Sequence, residues 1–278
     1  MRRPLGLLAL MLLSCPVTAH AHDYWLAPRD YTPAIDEPVT IDLFVGDHLV
    51  PEASRPHDPA KVHGFELRHR CAHEDLTRSS AAGADPVVDG RTFERDGLGL
   101  FGLEREWVDI TLSDEKFTFY LEHEELTDMQ AVRGQQAPRV EEHERYTRSI
   151  KSLIRVGERS RGRLHRKPLG HRMEIVLLDD PYRMQPGEPL RAKVLFAGKP
   201  LAGVAVSALH SRVNGVVTAR GTTDAGGVVA FMIDQPGAWL LRLVYMQPCA
   251  GRRDEDACAT ADWRSYWASF SFAVGARG

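Results

Sequence analysis

The sequence predicts an all-β protein that consists of two antiparallel β-sandwich domains joined by a partly helical linker. Residues 22–124 contain several short segments in which apolar and polar residues alternate, as they do in half-buried strands. Residues 168–275 contain seven more short predicted strands, which are separated by turn-forming residues at short intervals. Residues 125–167 break this alternation, and we therefore assign them to the linker.

The first 21 residues have the order of a secretory signal peptide. Arg2 and Arg3 precede an apolar run at 5–13, and small residues follow. Ala19-His20-Ala21 fits the cleavage pattern, so we expect a periplasmic protein whose mature N-terminus is His22. Because cleavage removes two arginines and no acidic residue, the formal net charge would fall from −3 to −5.

Two alternatives remain open at this end of the chain. Cleavage after Ala19 would leave His20-Ala21-His22, in which an amine, two amides and an imidazole form a set suited to Cu(II) or Ni(II). The stretch Leu12-Leu13-Ser14-Cys15 allows a lipoprotein signal instead, although Leu13 and Pro16 disfavour it.

His22 is the first candidate metal ligand. A chain that begins at His22 carries an α-amine and an imidazole on one residue, and together these can chelate a transition metal. The simpler interpretation is that the following Asp-Tyr-Trp-Leu at 23–26 only anchors a first strand, with His22 as an ordinary polar terminus.

The N-terminal domain, residues 22–124, offers further histidine candidates. His48 directly follows the predicted strand at 39–45 and its closing Gly46-Asp47. The alternation at 63–73 places His69, Cys71 and His73 on the same strand face as Phe65 and Leu67. Imidazole and thiolate suit copper, nickel or zinc. The simpler interpretation is that this face belongs to the core and that His73 lies in a turn.

His123 is the last of these candidates. It ends a predicted strand at 117–123, where it follows Phe117, Phe119 and Leu121 on one face. A histidine in that position is typical of the edge of a core, and a ligand role is the alternative.

The predicted linker, residues 125–167, contains a helical pattern. Tyr146, Ile150, Leu153 and Ile154 recur at i, i+4, i+7 and i+8, which predicts a helix within 142–156. Arginine and lysine are concentrated at 155–167, a composition that indicates a solvated segment rather than a binding patch.

The C-terminal domain, residues 168–275, is the more regular of the two. Its predicted strands are 173–178, 190–196, 204–210, 216–222, 228–233, 239–246 and 266–274. Asn214-Gly215 predicts a tight hairpin turn, because a type I′ turn needs positive φ at both central residues. Cys249 and Cys258 flank a short polar insert, a spacing compatible with a disulfide in an oxidising compartment. Cys71 would then be a buried apolar residue or a ligand.

Several common catalytic and binding signatures are missing from the sequence. There is no Gly-x-Ser-x-Gly elbow and no glycine-rich phosphate loop, and His143-Glu-Arg-Tyr-Thr147 lacks the second histidine of a zinc-protease helix. The sequence therefore predicts a protein that is not an enzyme. The charge balance predicts no nucleic-acid partner. The only long apolar run is the signal, so no membrane span is expected after its removal.

The chain resembles the NikM-like periplasmic family, whose members carry a domain of unknown function and are often described as nickel-uptake accessory proteins. The motifs that carry this resemblance lie at 22–28, 45–48, 144–151, 155–157, 174–181, 198–203, 223–226, 238–246 and 261–269. The resemblance implies a transthyretin-like or immunoglobulin-like C-terminal sandwich, a periplasmic location and a link to nickel or cobalt uptake. Nickel-uptake members have membrane segments that this chain lacks after its signal, and the insert between Cys249 and Cys258 departs from the family pattern.

Three functions follow from these observations. The leading hypothesis is a periplasmic accessory protein that binds nickel, cobalt or copper through His22, His48, His123, His69 and His73, and that works with a metal-uptake transporter. The alternative is a non-enzymatic binding or assembly module of the cell envelope, with an aromatic surface at Trp263, Tyr266 and Trp267. A third is a copper oxidase with an N-terminal histidine, which requires His48 beside His22.

Overall fold

The computed structural model describes residues 22–47, 49–210, 217–251 and 256–275, and it confirms the predicted all-β class. Two helices accompany the strands: α1 (Asp114–His123) and α2 (Thr127–Gly134). The strands are β1 (Asp23–Pro28), β2 (Val39–Asp47), β3 (Val50–Ser54), β4 (Val62–His69), β5 (Ala72–Asp75), β6 (Val88–Arg91), β7 (Gly97–Arg105), β8 (Val108–Ser113), β9 (Glu141–Val156), β10 (Met173–Leu177), β11 (Glu188–Phe196), β12 (Lys199–Pro200), β13 (Ala205–His210), β14 (Val217–Thr222), β15 (Val228–Ile233), β16 (Gly237–Pro248) and β17 (Trp263–Val274). Short 3-10 turns occupy Pro59–Lys61, Leu164–Arg166, Pro181–Arg183 and Asp256–Cys258.

The described strands form three sheets. The N-terminal sheet has the order β1-β2-β3, with β6 also paired to β2. The C-terminal sheet has the order β10-β11-β12, with β15 also paired to β11. The large sheet has nine strands in the order β14-β13-β16-β17-β9-β7-β4-β5, with β8 also paired to β9. The large sheet therefore takes strands from both sides of the predicted linker.

Each smaller sheet packs against the large sheet through a separate hydrophobic core. Leu100 belongs to the core with the C-terminal sheet, whereas its neighbour Phe101 belongs to the core with the N-terminal sheet. Both side chains are completely buried. Because successive strand residues point to opposite faces, β7 contributes to both cores at once.

The predicted helix within 142–156 is wrong, because these residues lie in β9, the longest of the described strands. β9 lies inside the large sheet, where it pairs in parallel with β17 and antiparallel with β7. Ile150 packs into one core and Leu153 into the other. A strand that is covered on both faces is apolar on both, so its spacing can imitate a helical face.

The predicted strand at 117–123 is also wrong, because these residues lie in α1. The Ser113 hydroxyl accepts a hydrogen bond from the Lys116 amide at 3.4 Å and caps the helix, and acidic residues follow in the first turn. Phe117, Tyr120 and Leu121 are the buried residues, spaced i, i+3 and i+4. Through these residues the helix packs against β16 and β17, two interior strands of the large sheet.

The seven strands predicted in the C-terminal domain all occur at the expected places, and Cys249 and Cys258 form a disulfide. The Asn214-Gly215 turn lies outside the described residues. Trp263, Tyr266 and Trp267 are buried rather than exposed, so the expected aromatic surface is absent from this part of the chain. None of the described helices has the length and apolar character needed to cross a membrane.

Candidate metal centre at the start of the first strand

The strand register brings the start of β1 next to the end of β2. Asp23 lies opposite Gly46, so His22, directly before β1, adjoins Asp47 at the end of β2. β3 pairs with the other side of β2 through an irregular register, in which Val45 faces Ala53 and Gly46 faces Pro51. Glu52 is therefore the extra residue of a β-bulge, a feature that turns a side chain away from its regular direction.

Gly46 makes this bulge possible. A Cβ atom on Gly46 would lie 2.1 Å from the Val50 carbonyl oxygen and 2.9 Å from the Glu52 amide nitrogen. Neither distance can be tolerated, so only glycine allows β3 to approach β2 this closely. The direction of the Glu52 side chain thus follows from the absence of a side chain at position 46.

His22, Asp47 and Glu52 form a cluster of three donor groups, which we call the metal centre. One ligand atom from each residue lies within 4.8 Å of the other two. The His22 Nε2 atom is 3.1 Å from a Glu52 carboxylate oxygen. Among the described residues, no other three histidine, cysteine or carboxylate side chains converge in this way. One imidazole and two carboxylates suit a borderline divalent ion such as nickel, cobalt, copper or zinc.

The metal centre is open to solvent. The side chain of His22 is 24% exposed and that of Glu52 is 52% exposed. An ion pair at such a site contributes little to the free energy of unfolding, because water and salt screen it. Stabilisation of the fold is therefore a poor explanation for the convergence of these three donors. Because the side chains are exposed, an ion from solvent can reach them.

A buried charge network lies directly behind the metal centre. The Arg242 guanidinium pairs with Asp23 and also donates to both oxygens of Glu124, each at 2.8 Å. All three side chains are buried. Burial raises the pKa of Asp23 to about 6, against the lowering effect of Arg242, and the charges of Glu124 and Asp47 raise it further.

The other predicted ligands do not join this cluster in the described part of the chain. His48 follows Asp47 but lies outside the described residues, so its place relative to His22 stays a prediction. Both ring nitrogens of His69 face backbone carbonyl oxygens, those of Leu98 and Arg95, at 3.0 and 3.1 Å. The exposed ring of His123 stacks on Phe119 at the end of α1.

Cys71 is exposed and free, so the first of its two predicted roles, a buried apolar residue, is wrong, and the ligand role stays a prediction. It lies in the turn between β4 and β5, next to Arg70, whose φ is 56°. This turn interrupts the single strand predicted at 63–73, and His73 belongs to β5 instead. Phe65 and Leu67 are in the core, as the alternation predicted.

A second group of histidines lines a separate cleft of about 350 Å³, which we call the histidine cleft. His73 Nε2 is 3.0 Å from a Glu66 oxygen, and His63 Nδ1 is 3.1 Å from a Glu106 oxygen. His171 is 6% exposed, and its Nδ1 has no hydrogen-bond partner among the described residues. Burial, followed by the charge of Lys151, lowers the pKa of His171 to about 4.

Sequence reasoning identified His22 but missed Asp47 and Glu52 as its neighbours. By itself, Gly46-Asp47 indicates only the end of the strand predicted at 39–45. The available signal was the glycine directly before an aspartate at a strand end, because a glycine inside a strand pattern often marks a bulge. It also missed Glu144, a buried carboxylate that accepts hydrogen bonds from Tyr120 at 3.1 Å and from Ser265.

Comparison with known families identifies a domain family for this chain. The profile of DUF4198, a domain of unknown function, matches residues 19–247, a range that contains the whole metal centre. No curated protein matches the chain. A similar solved structure is the D0-D1 domain of Intimin, with 11% sequence identity and a TM-score of 0.21. That match covers 90% of this chain and 97% of the other, and the TM-score is too low to carry an inference.

Proposed function

The chain belongs to the DUF4198 family, whose function is unknown, and we propose that it is an exported, periplasmic protein that binds a divalent transition metal. The observation that carries this proposal is the convergence of His22, Asp47 and Glu52 within 4.8 Å. The proposed role is binding and delivery, without catalysis. Neutral imidazole and ionised carboxylates are the forms that bind metal, so acid should release the ion.

The maturation of the chain would complete the donor set. Cleavage after Ala21 would place the α-amine on His22 itself, next to its imidazole. The centre would then offer two nitrogen and two carboxylate donors, a set that accepts nickel, cobalt or copper. The intrinsic affinity order favours copper, so a nickel or cobalt role would depend on which ion the compartment supplies.

Nickel or cobalt handling is the more specific form of this proposal. It is supported by the resemblance of the motifs at 22–28 and 45–48 to those of the NikM-like family, since these motifs contain His22 and Asp47. In this role the protein would pass its ion to a component of a metal-uptake transporter. An open site with exposed donors suits such a transfer better than an enclosed one.

The test is metal analysis of protein that has been secreted, so that its N-terminus is processed naturally and can be sequenced. We expect wild-type protein to take up about one equivalent of Ni²⁺, and His22→Ala to lose it. His73→Ala is the matched control, because it removes an imidazole that also lies beside a glutamate, in the histidine cleft.

A second preparation, in which extra residues precede His22, tests the contribution of the amine. We expect it to bind Ni²⁺ more weakly than the processed protein. Equal uptake by wild-type and His22→Ala protein would overturn the proposed function. Loss of uptake in His73→Ala would move the site to the histidine cleft.

A further inference from the structure

Alternate carbonyl groups from His22 to Leu26, in and just before β1, accept hydrogen bonds from side chains of the large sheet. The His22 carbonyl oxygen accepts a hydrogen bond from Arg148 Nη1 at 2.9 Å. The Tyr24 carbonyl accepts from the Ser269 hydroxyl at 2.7 Å, and the Leu26 carbonyl from the Ser271 hydroxyl at 2.6 Å. β1 is an edge strand of the N-terminal sheet, and these contacts satisfy carbonyls that an edge strand leaves unpaired.

Arg148 is the donor that reaches the metal centre, and three aromatic rings, those of Tyr24, Trp267 and Tyr146, contact its guanidinium. Its central carbon lies 4.4 Å from the ring centroid of Tyr24 and 4.4 Å from that of Trp267. The residue is 8% exposed. In the described part of the chain, no carboxylate forms an ion pair with it. A planar guanidinium that contacts several aromatic rings has little freedom to change direction.

The charge of Arg148 would by itself oppose a metal at His22. Two positive charges repel each other at short range, and burial strengthens that repulsion. If Arg148 acted only through its charge, its removal would strengthen metal binding. If it acts by fixing the His22 backbone, its removal would weaken binding. The sign of the change therefore separates the two roles.

We propose that Arg148 is a positioning residue of the metal centre. By holding the His22 carbonyl, it fixes the backbone from which the His22 imidazole reaches Asp47 and Glu52. Tyr24 and Trp267 contribute to this positioning, because their rings hold the Arg148 guanidinium in place. The effect of Arg148 on metal affinity rests on the proposed function. The restraint that Arg148 places on β1 can be measured in the metal-free protein.

Arg105 provides a matched control. Its guanidinium carbon lies 5.2 Å from the centroid of the same Tyr24 ring, whereas His22 receives its hydrogen bond from Arg148. Arg105→Met thus removes a positive charge and a cation–π contact from the same ring. Arg148→Met removes the same charge and a contact with the same ring, and in addition the contacts with Trp267 and Tyr146 and the hydrogen bond to His22. Arg148→Lys keeps the charge and a donor but loses the planar group.

The experiment is a calorimetric titration of the secreted proteins with Ni²⁺ alone. We expect Arg148→Met to weaken binding by about tenfold or more, as the loss of a group that orients a ligand does. We expect Arg148→Lys to fall between that variant and wild type, and Arg105→Met to bind as tightly as wild type or more tightly. Unchanged or tighter binding by a folded Arg148→Met protein would overturn the proposal.

Hydrogen exchange of the metal-free proteins separates this inference from the proposed function. We expect faster amide exchange at 23–26 in Arg148→Met than in Arg105→Met, with unchanged exchange in the core strands. If wild-type protein takes up no Ni²⁺, the proposed function fails, while the exchange data still decide whether Arg148 restrains β1. Identical exchange in the two variants would refute the restraint. If Arg148→Met does not fold, Arg148→Lys provides both measurements.

Discussion

The metal centre and the histidine cleft contain the same kinds of side chain but differ in how these are engaged. In the metal centre, the donor atoms of His22, Asp47 and Glu52 converge within 4.8 Å at the protein surface. In the histidine cleft, His73 and His63 each pair with a separate carboxylate, and His171 is buried. Convergence, rather than the number of histidines, therefore distinguishes a candidate metal centre from a polar cleft.

The two regions also differ in what lies beneath them. Behind the metal centre are the carboxyl groups of Asp23 and Glu144, and burial raises their pKa values to about 6 and about 7. Beside the histidine cleft is the buried ion pair of Lys151 and Glu174, at 2.9 Å. The first region thus contains carboxyl groups whose pKa values burial has raised, and the second contains a buried cation paired with an anion.

The largest effect that we expect is the loss of stability when the ion pair of Lys151 and Glu174, beside the histidine cleft, is broken. The Lys151 ammonium donates to Glu174, to the Ile175 carbonyl at 3.0 Å and to the Lys167 carbonyl at 3.3 Å, so its three donors are all used. Lys151→Met would leave the Glu174 charge buried without its cation. We expect the free energy of unfolding to fall by about 3–5 kcal/mol, measured by urea denaturation.

Glu174→Gln in the Lys151→Met background tests the cause of this loss. It removes the unpaired charge, so the double variant should recover part of the lost stability. The Ni²⁺ affinity of the folded fraction should not change in either protein, because the pair lies away from the metal centre. A double variant that is no more stable than Lys151→Met would show that the buried charge is not the cause.

The next largest effect is on the pH dependence of stability, to which Glu144 in the first region and His171 in the second contribute with opposite signs. Glu144 has a folded-state pKa of about 7, above its ordinary 4.5, so the folded state binds more protons between these values. Its contribution to stability therefore falls as pH rises from 4.5 to 7, by about 3 kcal/mol in total. His171 has a folded-state pKa of about 4, below its ordinary 6.5, so its contribution rises as pH rises from 4 to 6.5, by a similar amount.

Urea denaturation at a series of pH values would measure both slopes. Subtracting the Glu144→Gln curve from the wild-type curve should leave a difference that falls with rising pH, because only wild type carries the titrating acid. The same subtraction for His171→Asn should leave a difference that rises. Two differences with the same sign would contradict this account of the two regions.

The smallest effect that we expect is a change in metal affinity. It can be tested at two glutamates that each pair with a histidine. Glu52 pairs with His22 at 3.1 Å, and Glu66 pairs with His73 at 3.0 Å. Glu52→Gln should weaken Ni²⁺ binding by about tenfold, or about 1.4 kcal/mol, because an amide oxygen carries no net charge. Glu66→Gln should leave the affinity within experimental error. Calorimetric titration of both variants checks this, and equal weakening would mean that the two regions are not distinct.

Local patterns determined a large part of this protein. The seven C-terminal strands could be predicted because they are short apolar segments separated by turn-forming glycine, proline, asparagine and aspartate residues, and these signals depend only on neighbouring residues. His22 could be chosen as a candidate ligand for a similar reason, since the signal pattern ends directly before it. The Phe65 and Leu67 core positions followed from alternation as well.

Only the tertiary structure decided the remaining features, because they depend on residues that are distant in the sequence. Residues 142–156 become a strand because β17, more than 100 positions away, pairs with them, and local spacing does not encode that partner. Asp47 and Glu52 approach His22 only through the pairing of three strands and the bulge that Gly46 permits. Arg148 reaches the His22 carbonyl across 126 positions of sequence. Contacts of this range arise from packing, so no periodicity near His22 could have predicted them.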